Sequence, residues 1–233
     1  MTMEIEDIKR RIFALRDEEY AAFTRKLIPG MSEGYIIGVR TPALRLLAKE
    51  IVRAGGEEPF LNRLPHDSFE ENLLHAFILG IKKMKIEESV GRVGLFLPFV
   101  DNWAVCDQFV VKGFSKYPDT VYPFLQKCMG SDHLYTRRFG IVNAMRFFLD
   151  EKFRPSMFDD VSSAVTGDYY VRMAVAWYFA TALAKQWDAA FPYLSSGRFD
   201  ATLLRMTLRK ARESFRLSEW QKEQLKSIAL GRE

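Results

Sequence analysis

The residues best suited to chemistry are one carboxylate, two indoles and several arginines. Trp103 and Asp107 are four positions apart, so on a helix they share one face. A fixed carboxylate stabilises positive charge that develops during a reaction, and the face of an indole ring attracts a cation with about 0.5–2 kcal/mol. Arginines such as Arg138 clamp phosphates without reading a base sequence. Together with Trp177, these residues suit a surface that binds phosphates and holds a cation.

Each of these residues also has an ordinary structural interpretation. A lone tryptophan such as Trp103 or Trp177 usually packs in or near a hydrophobic core. Asp107 lies in an otherwise apolar helical turn, and a buried carboxylate needs a partner, so it can be half of a structural ion pair with an arginine. Arg137 and Arg138 can belong to a solvated or paired helix face.

The elements that must position these residues are helices, because apolar side chains recur mainly with the 3.6-residue period. Short polar residues that can cap a helix N-terminus precede five of the periodic segments: Ser68, Asp101, Asp132, Asp168 and Asp200. The intervals between them are 33, 31, 36 and 32 residues, each long enough for two helices. The sequence therefore predicts an all-α fold, a right-handed superhelical α-α solenoid of HEAT-like helix-pair repeats. The alternative is an irregular helical globule.

Local signals add detail to this helical pattern. Thr41-Pro42 is typical of an N-cap followed by proline at the first helical position. Ser218 and Gln221 form a capping box, in which each side chain caps the other residue's backbone amide. The only short β-like run is Tyr35–Val39.

The chain lacks linkers rich in proline, glycine or serine, which favours one domain over residues 1–233. We expect residues 1–63 to form N-terminal helices and residues 64–233 to form the helix-pair repeats. A monomer is expected.

Equivalent positions after successive helix starts select the candidate residues, since a solenoid lines one concave face with equivalent helices. Asp107 and Arg138 both stand six residues after their starts. Adjacent helices pack roughly 8–10 Å apart, so these two side chains could reach each other or one ligand. The later starts are followed by further cations, which predicts a phosphate-binding surface. Its predicted members are Arg137, Arg138, Arg172, Arg205, Arg209 and Arg212.

The distribution of charge agrees with this surface. The whole chain has a formal net charge of +4. The segment Arg198–Arg216 contains six lysine and arginine residues and two acidic residues, so it alone carries the whole excess. Such a concentration is typical of a phosphate-binding surface, although a solvated helix face has the same pattern.

Composition excludes several other classes. Two cysteines, Cys106 and Cys128, and three scattered histidines give neither a disulfide framework nor a metal cluster of the usual spacing. The apolar run Met173–Ala184 is too short to cross a bilayer. Met1–Arg11 is charged and lacks the apolar block of a signal peptide. We therefore expect a reduced, cytoplasmic protein without a metal or cofactor.

Four segments resemble a known family in matching order. They are Asn102–Asp107, Ile37–Pro42, Leu134–Arg138 and Val171–Trp177. Each is short, but the ordered set is similar to the DNA alkylation repair enzymes, the AlkD-like HEAT-repeat alkylpurine DNA glycosylases. The resemblance extends from about Arg25 to Arg212.

This resemblance implies a superhelix whose concave, basic face binds duplex DNA. It implies excision of cationic N3- and N7-alkylated purines, without a metal ion and without deep base flipping. Trp103 and Trp177 would be the aromatic residues of the cleft, Asp107 the catalytic carboxylate, and Arg138 the residue that holds the DNA backbone beside it. Ala104 stands where the family often has a second acidic residue, and Tyr35 is a loose substitute for a further cleft aromatic.

Two other functions fit parts of the sequence. A non-catalytic or differently acting DNA-binding repeat protein would need the basic surface without the carboxylate's chemistry. A protein-interaction scaffold would need neither, and its tryptophans and arginines would then be structural.

Overall fold

The computed structural model describes residues 4–230, with side chains described to residue 228. All regular secondary structure in this range is helical, which confirms the all-α prediction. The α-helices are α1 Ile5–Ala14, α2 Glu18–Leu27, α3 Thr41–Ala54, α4 Glu58–Asn62, α5 Phe69–Ile81, α6 Ile86–Phe96, α7 Trp103–Gln108, α8 Pro118–Met129, α9 Leu134–Phe148, α10 Ser156–Ser163, α11 Tyr169–Lys185, α12 Trp187–Ser195, α13 Ala201–Arg212 and α14 Glu219–Leu230. Two short 3₁₀ helices are Leu97–Phe99 and Lys112–Lys116.

The chain divides into two compact units, with the boundary between Thr120 and Val121 in the first turn of α8. In the first unit, α5 is central and packs against α1, α3, α6 and α7. Every residue of α5 from Phe69 to Gly80 is buried, because neighbouring helices cover it on several sides. In the second unit, α11 packs against α9, α12 and α13. The prediction of one domain over residues 1–233 and of a superhelical, HEAT-like course stays a prediction.

The structure confirms several of the predicted N-cap residues. The N-cap side chains of Ser68, Asp168 and Asp200 each accept a backbone amide of the helix that follows. Ser218 and Gln221 form the predicted reciprocal capping box, with distances of 2.9 and 3.2 Å. These starts are predictable because a cap involves residues only two or three positions apart.

Three predicted starts are wrong by one residue. α7 is capped by Asn102 rather than Asp101, because the Asn102 side chain accepts the Val105 amide at 2.9 Å. α9 is capped by His133 rather than Asp132, through Nδ1 and the Thr136 amide. α3 begins at Thr41 itself, so Thr41 is not its cap.

The predicted β-like run Tyr35–Val39 is not a strand. The buried carboxylate of Glu70 on α5 accepts the backbone amides of Ile37, Gly38 and Val39 at 2.9, 2.7 and 3.2 Å. Gly38 has φ of +94°, and a Cβ there would lie 2.2 Å from the Asp17 carbonyl oxygen, so this loop requires glycine. A side chain 31 to 33 residues away thus accepts the backbone amides that a neighbouring strand would accept in a sheet.

Candidate nucleic-acid interface

The short helix α7, which carries Trp103 and Asp107, is held at its N-terminus by side chains of the first unit. Besides capping α7, Asn102 donates from Nδ2 to Asp101 Oδ1 at 2.7 Å. Asp101 Oδ2 in turn accepts the Tyr35 hydroxyl at 2.5 Å. The start of α7 is therefore tied to the loop that precedes α3.

Tyr35 connects this chain of bonds to the buried helix α5. Its hydroxyl accepts the Asn72 amide at 2.7 Å while it donates to Asp101. Burial and the neighbouring Asp101 carboxylate raise the pKa of the Tyr35 phenol well above its usual range, so the hydroxyl keeps its proton. Its backbone carbonyl also accepts the Phe69 amide at 2.9 Å. Tyr35 thus connects the loop that precedes α3 to helix α5 and to the start of α7.

Trp103 and Asp107 lie on one face of α7, as the spacing predicted. Both are half-buried, whereas Val105 and Cys106 on the other side of the helix are fully buried. The Trp103 indole N–H donates to the Leu27 carbonyl at the end of α2 at 3.2 Å. The indole is therefore fixed in orientation, and the carboxylate of Asp107 stands on the same partly exposed surface.

A cation that the sequence analysis missed lies beside this surface. Arg45 on α3 has its guanidinium carbon 4.0 Å from the centre of the Phe77 ring, and its Nη2 is 3.5 Å from Gln108 Oε1. Burial lowers the pKa of Arg45 below its usual value. Arg45 thus brings positive charge to the residue that follows Asp107.

Three of the six predicted DNA-binding arginines use their guanidinium groups inside the second unit. Arg137 donates to the carbonyls of Ser131 and Ala164 at 2.7 and 3.2 Å. Arg138 is only 4% exposed, and its Nη1 donates to the Tyr170 carbonyl at 2.6 Å. Direct phosphate contacts by these two residues stay a prediction.

Arg172 is the third arginine of this kind. Its Nη2 lies 2.5 and 2.7 Å from the two carboxylate oxygens of Asp200, the N-cap of α13. The Arg172 guanidinium and the Leu203 amide lower the pKa of Asp200 below its usual value. This pair joins α11 to the start of α13, and a phosphate contact by Arg172 also stays a prediction.

The other three predicted arginines share one exposed face of α13. Arg205, Arg209 and Arg212 are spaced by four and three residues, so they project from one side of the helix. All three are exposed, and the side chain of Arg209 is 81% exposed even though it pairs with Glu213. Their exposure allows contact with phosphates from solvent.

Trp177 lies at a cavity of about 490 Å³ in the second unit and is 36% exposed. Four cations and one carboxylate line the same cavity: Arg146, Lys185, Lys210, Arg216 and Glu213. The excess of positive charge around an accessible indole suits an anionic ligand that carries a flat ring.

Within each unit the structure therefore brings predicted residues together. Trp103 and Asp107 share a surface in the first unit, and the three arginines of α13 share one in the second. The predicted pairing of Asp107 with Arg138 joins residues of different units and stays a prediction. The sequence did not identify Tyr35 and Arg45 as residues that support α7 and its surface. Arg45 could have been noticed as a positively charged residue among the regularly spaced apolar residues of α3.

Two features are absent from the part of the chain that the structure describes. No helix within residues 4–230 is long and apolar enough to span a membrane. Among these residues, no group of three or more histidine, cysteine, aspartate or glutamate side chains could hold a metal ion.

Comparison with known protein families gives a match over most of the chain. The family model of the DNA alkylation repair enzymes matches residues 8–215. A search of curated proteins found no match. The family match includes α7 and α13 and thus spans both candidate surfaces.

Proposed function

Since this chain belongs to the DNA alkylation repair enzyme family, we propose that it is a DNA glycosylase that removes cationic N3- and N7-alkylated purines from duplex DNA. The observation that carries the proposal is the half-buried Asp107 carboxylate, which shares one face of the capped helix α7 with the oriented indole of Trp103.

The chemistry follows from the charge of the lesion. Alkylation at N3 or N7 gives the purine a formal positive charge, so the base is a good leaving group. When the bond between C1′ and N9 breaks, its electron pair leaves with the base, which becomes neutral, and the sugar becomes an oxocarbenium ion. A water molecule then adds to C1′ and loses a proton to solvent, which leaves an abasic site.

Asp107 acts on the sugar in this scheme. A fixed carboxylate beside the sugar stabilises the oxocarbenium-like transition state and can orient the attacking water, as a carboxylate does in glycoside hydrolysis. The gain can be several kcal/mol in a site that excludes most water. The indole of Trp103, on the same helix face as Asp107, faces the cationic base and its sugar in this proposal, where a cation contact contributes about 0.5–2 kcal/mol. The same role for Trp177 in the second unit stays a prediction.

The arginines bind the DNA backbone. Arg205, Arg209 and Arg212 are exposed on α13 and are available to phosphates. For Arg137, Arg138 and Arg172, phosphate contacts would have to be made beside the bonds that these side chains already form within the protein. We propose duplex DNA as the partner and a monomer as the active form.

The test is single-turnover release of 7-methylguanine and 3-methyladenine from duplex DNA. Asp107→Asn keeps the shape of the side chain but removes its charge, so we expect release to fall by on the order of 10²-fold or more. Duplex affinity should stay the same or rise, because one charge that repels phosphates is gone. The matched control is Asp119→Asn, which makes the same change at an exposed carboxylate of the first unit.

The outcomes separate the candidate functions. Equal release by the wild type and Asp107→Asn would remove the carboxylate from the mechanism. Salt-dependent binding of duplex without release of either base would favour the non-catalytic DNA-binding protein. Absence of both binding and release would favour the protein scaffold.

A further inference from the structure

Two histidines form a buried pair beside the first turns of α5. His66 Nε2 and His75 Nδ1 are 2.8 Å apart, and the two residues are only 8% and 2% exposed. The His66 ring stacks on Phe60 of α4 with 4.4 Å between ring centres, and the His75 ring stacks on Phe96 of α6 with 3.9 Å. The pair therefore ties the segment before α5 to α4, α5 and α6 in the interior of the first unit.

The hydrogen bond between the two rings limits the number of protons that the pair can hold. His66 Nδ1 is 3.6 Å from Glu71 Oε2, so a positively charged His66 could face this carboxylate and still donate from Nε2 to a neutral His75. If His75 also takes up a proton, both facing nitrogens are donors and the bond is lost. Burial, His66 and Arg92 hold the pKa of His75 well below its ordinary value of 6.5, so the His75 ring is neutral at neutral pH.

Charged groups from several elements surround the pair. His75 and Arg92 line a cavity of about 450 Å³, which gives solvent protons a path to the buried ring. Positive charge thus stands beside His75, and a carboxylate stands beside His66. The charged groups that face the pair or its ionic partners are Lys9 of α1, Glu58 of α4, Arg63 and Asp67 in the segment before α5, Glu71 of α5 and Arg92 of α6.

The same turns of α5 hold two segments of the candidate site. Glu70 accepts the backbone amides of the loop before α3, and Asn72 donates to the Tyr35 hydroxyl, which bonds to the segment before α7. Glu71, between these two residues, faces His66. If the histidine pair opens, the start of α5 therefore loses contacts that fix it while it holds both segments.

We propose that His66 and His75 are positioning residues for the candidate site. Their hydrogen bond fixes the first two turns of α5, and these turns hold the loop before α3 and the start of α7, which carries Trp103 and Asp107. A second proton on the pair breaks the bond and loosens this support. The inference rests on the proposed function only for its effect on base release, since the effect on α7 can be measured without DNA.

The test compares two polar replacements of His75 that differ in where the side-chain amide lies. His75→Asn places the amide near the position of Nδ1, where it can still bond to His66, whereas His75→Gln places it near Nε2, away from His66. The control is His133→Asn, because His133 caps α9 in the second unit and asparagine can keep that cap. The reporter is the NMR signal of the Trp103 indole N–H, which donates to the Leu27 carbonyl.

At neutral pH we expect His75→Gln to shift or broaden the Trp103 signal. It should also reduce base release by roughly 10-fold or more, since a displacement of about 1 Å can cost about 10²-fold. His75→Asn should retain both properties, and His133→Asn should match the wild type. As the pH of the wild type is lowered, the Trp103 signal should change with the same midpoint as the ring nitrogens of His75, and His75→Asn should lack this transition.

Contrary results separate this inference from the proposed function. An unchanged Trp103 signal in His75→Gln, or base release at the rate of an active wild type, would overturn the proposal even if the urea midpoint falls. If the Trp103 signal responds as expected but the wild type releases no base, the proposed function fails and the support of α7 by the pair stands. If His75→Gln does not fold, the wild type decides, because a Trp103 signal that stays constant until the whole protein unfolds in acid would overturn the proposal.

Discussion

Asp107 stands on a helix of only six residues, and its position therefore depends on side chains outside that helix. A segment this short does not form a stable helix by itself. The Asn102 cap satisfies an amide at its start, and buried Val105 and Cys106 fix its inner side. A carboxylate that stabilises a transition state must be held close to its working position. Under the proposed function, the hydrogen bonds that Asn102 and Asp101 make are therefore expected to affect the rate of base release as well as stability.

Tyr35→Phe tests this dependence at the level of one hydroxyl. The change leaves the buried Asn72 amide without its acceptor, and Asp101 Oδ2 loses the hydroxyl that donates to it. We expect the free energy of unfolding to fall by about 1–3 kcal/mol, the usual cost of an unsatisfied buried group. Base release should also fall, because the anchor of α7 is loosened. Urea unfolding measures the first effect and single-turnover release the second.

The control for this change is Tyr117→Phe, which removes the hydroxyl of a tyrosine that is 49% exposed. It should leave the urea midpoint and the release rate unchanged. A midpoint for Tyr35→Phe equal to that of the wild type would mean that the Asn72–Tyr35–Asp101 bonds contribute nothing net to folding.

At the scale of elements, predictability follows the distance along the chain over which an interaction acts. The caps at Ser68, Asp168 and Asp200 were predicted, because capping joins residues two or three positions apart. The role of residues 35–39 was not predicted, because Glu70 accepts the backbone amides of residues 37 to 39 from 31 to 33 positions away. An alternating apolar pattern shows which side chains are buried, but it cannot show which group accepts the backbone amides.

In the candidate site too, features within one helix were predicted and contacts between elements were not. The shared face of Trp103 and Asp107 follows from a spacing of four within one helix. The internal bonds of Arg137 and Arg172 were not predicted, since their acceptors lie on other elements. An arginine that faces solvent and one that bonds to a distant carbonyl have the same signature in sequence.

Asp200→Ala tests how one cap joins two helices. The folded protein lowers the pKa of Asp200 below 3.8 through Arg172 and the Leu203 amide, so the ionised carboxylate is the stabilising form. Its contribution is complete above the unfolded pKa and is lost as the pH falls through the lowered folded value. We expect Asp200→Ala to reduce the free energy of unfolding by about 1 kcal/mol at neutral pH. The difference from wild type should narrow in acid below about pH 4.

Urea unfolding across this pH range measures the difference directly. Asp188→Ala is the matched control, because it removes an exposed carboxylate from the first turn of α12. If the difference in free energy of unfolding between wild type and Asp200→Ala stayed constant as the pH was lowered, the charge of Asp200 would not be what stabilises α13.

For the whole molecule, the placement of charge matters more than its total. A net charge of +4 on 233 residues gives only weak general attraction to a polyanion. The segment Arg198–Arg216 alone accounts for that excess, and within it three arginines share the exposed side of α13. Binding of duplex DNA should therefore depend on this face far more than on other cations of the chain.

The corresponding experiment replaces Arg205, Arg209 and Arg212 together by glutamine and measures duplex affinity over a range of salt. Each phosphate contact contributes about −0.9 to the slope of log K against log salt, through release of counterions. Loss of three contacts should therefore make the slope shallower by about 2.7. Glutamine replacement of Arg53, Lys83 and Lys85, which are also exposed, removes the same charge and should leave the slope close to that of the wild type. Equal changes in the two triple variants would mean that DNA responds only to net charge, and α13 would then be an ordinary solvated helix.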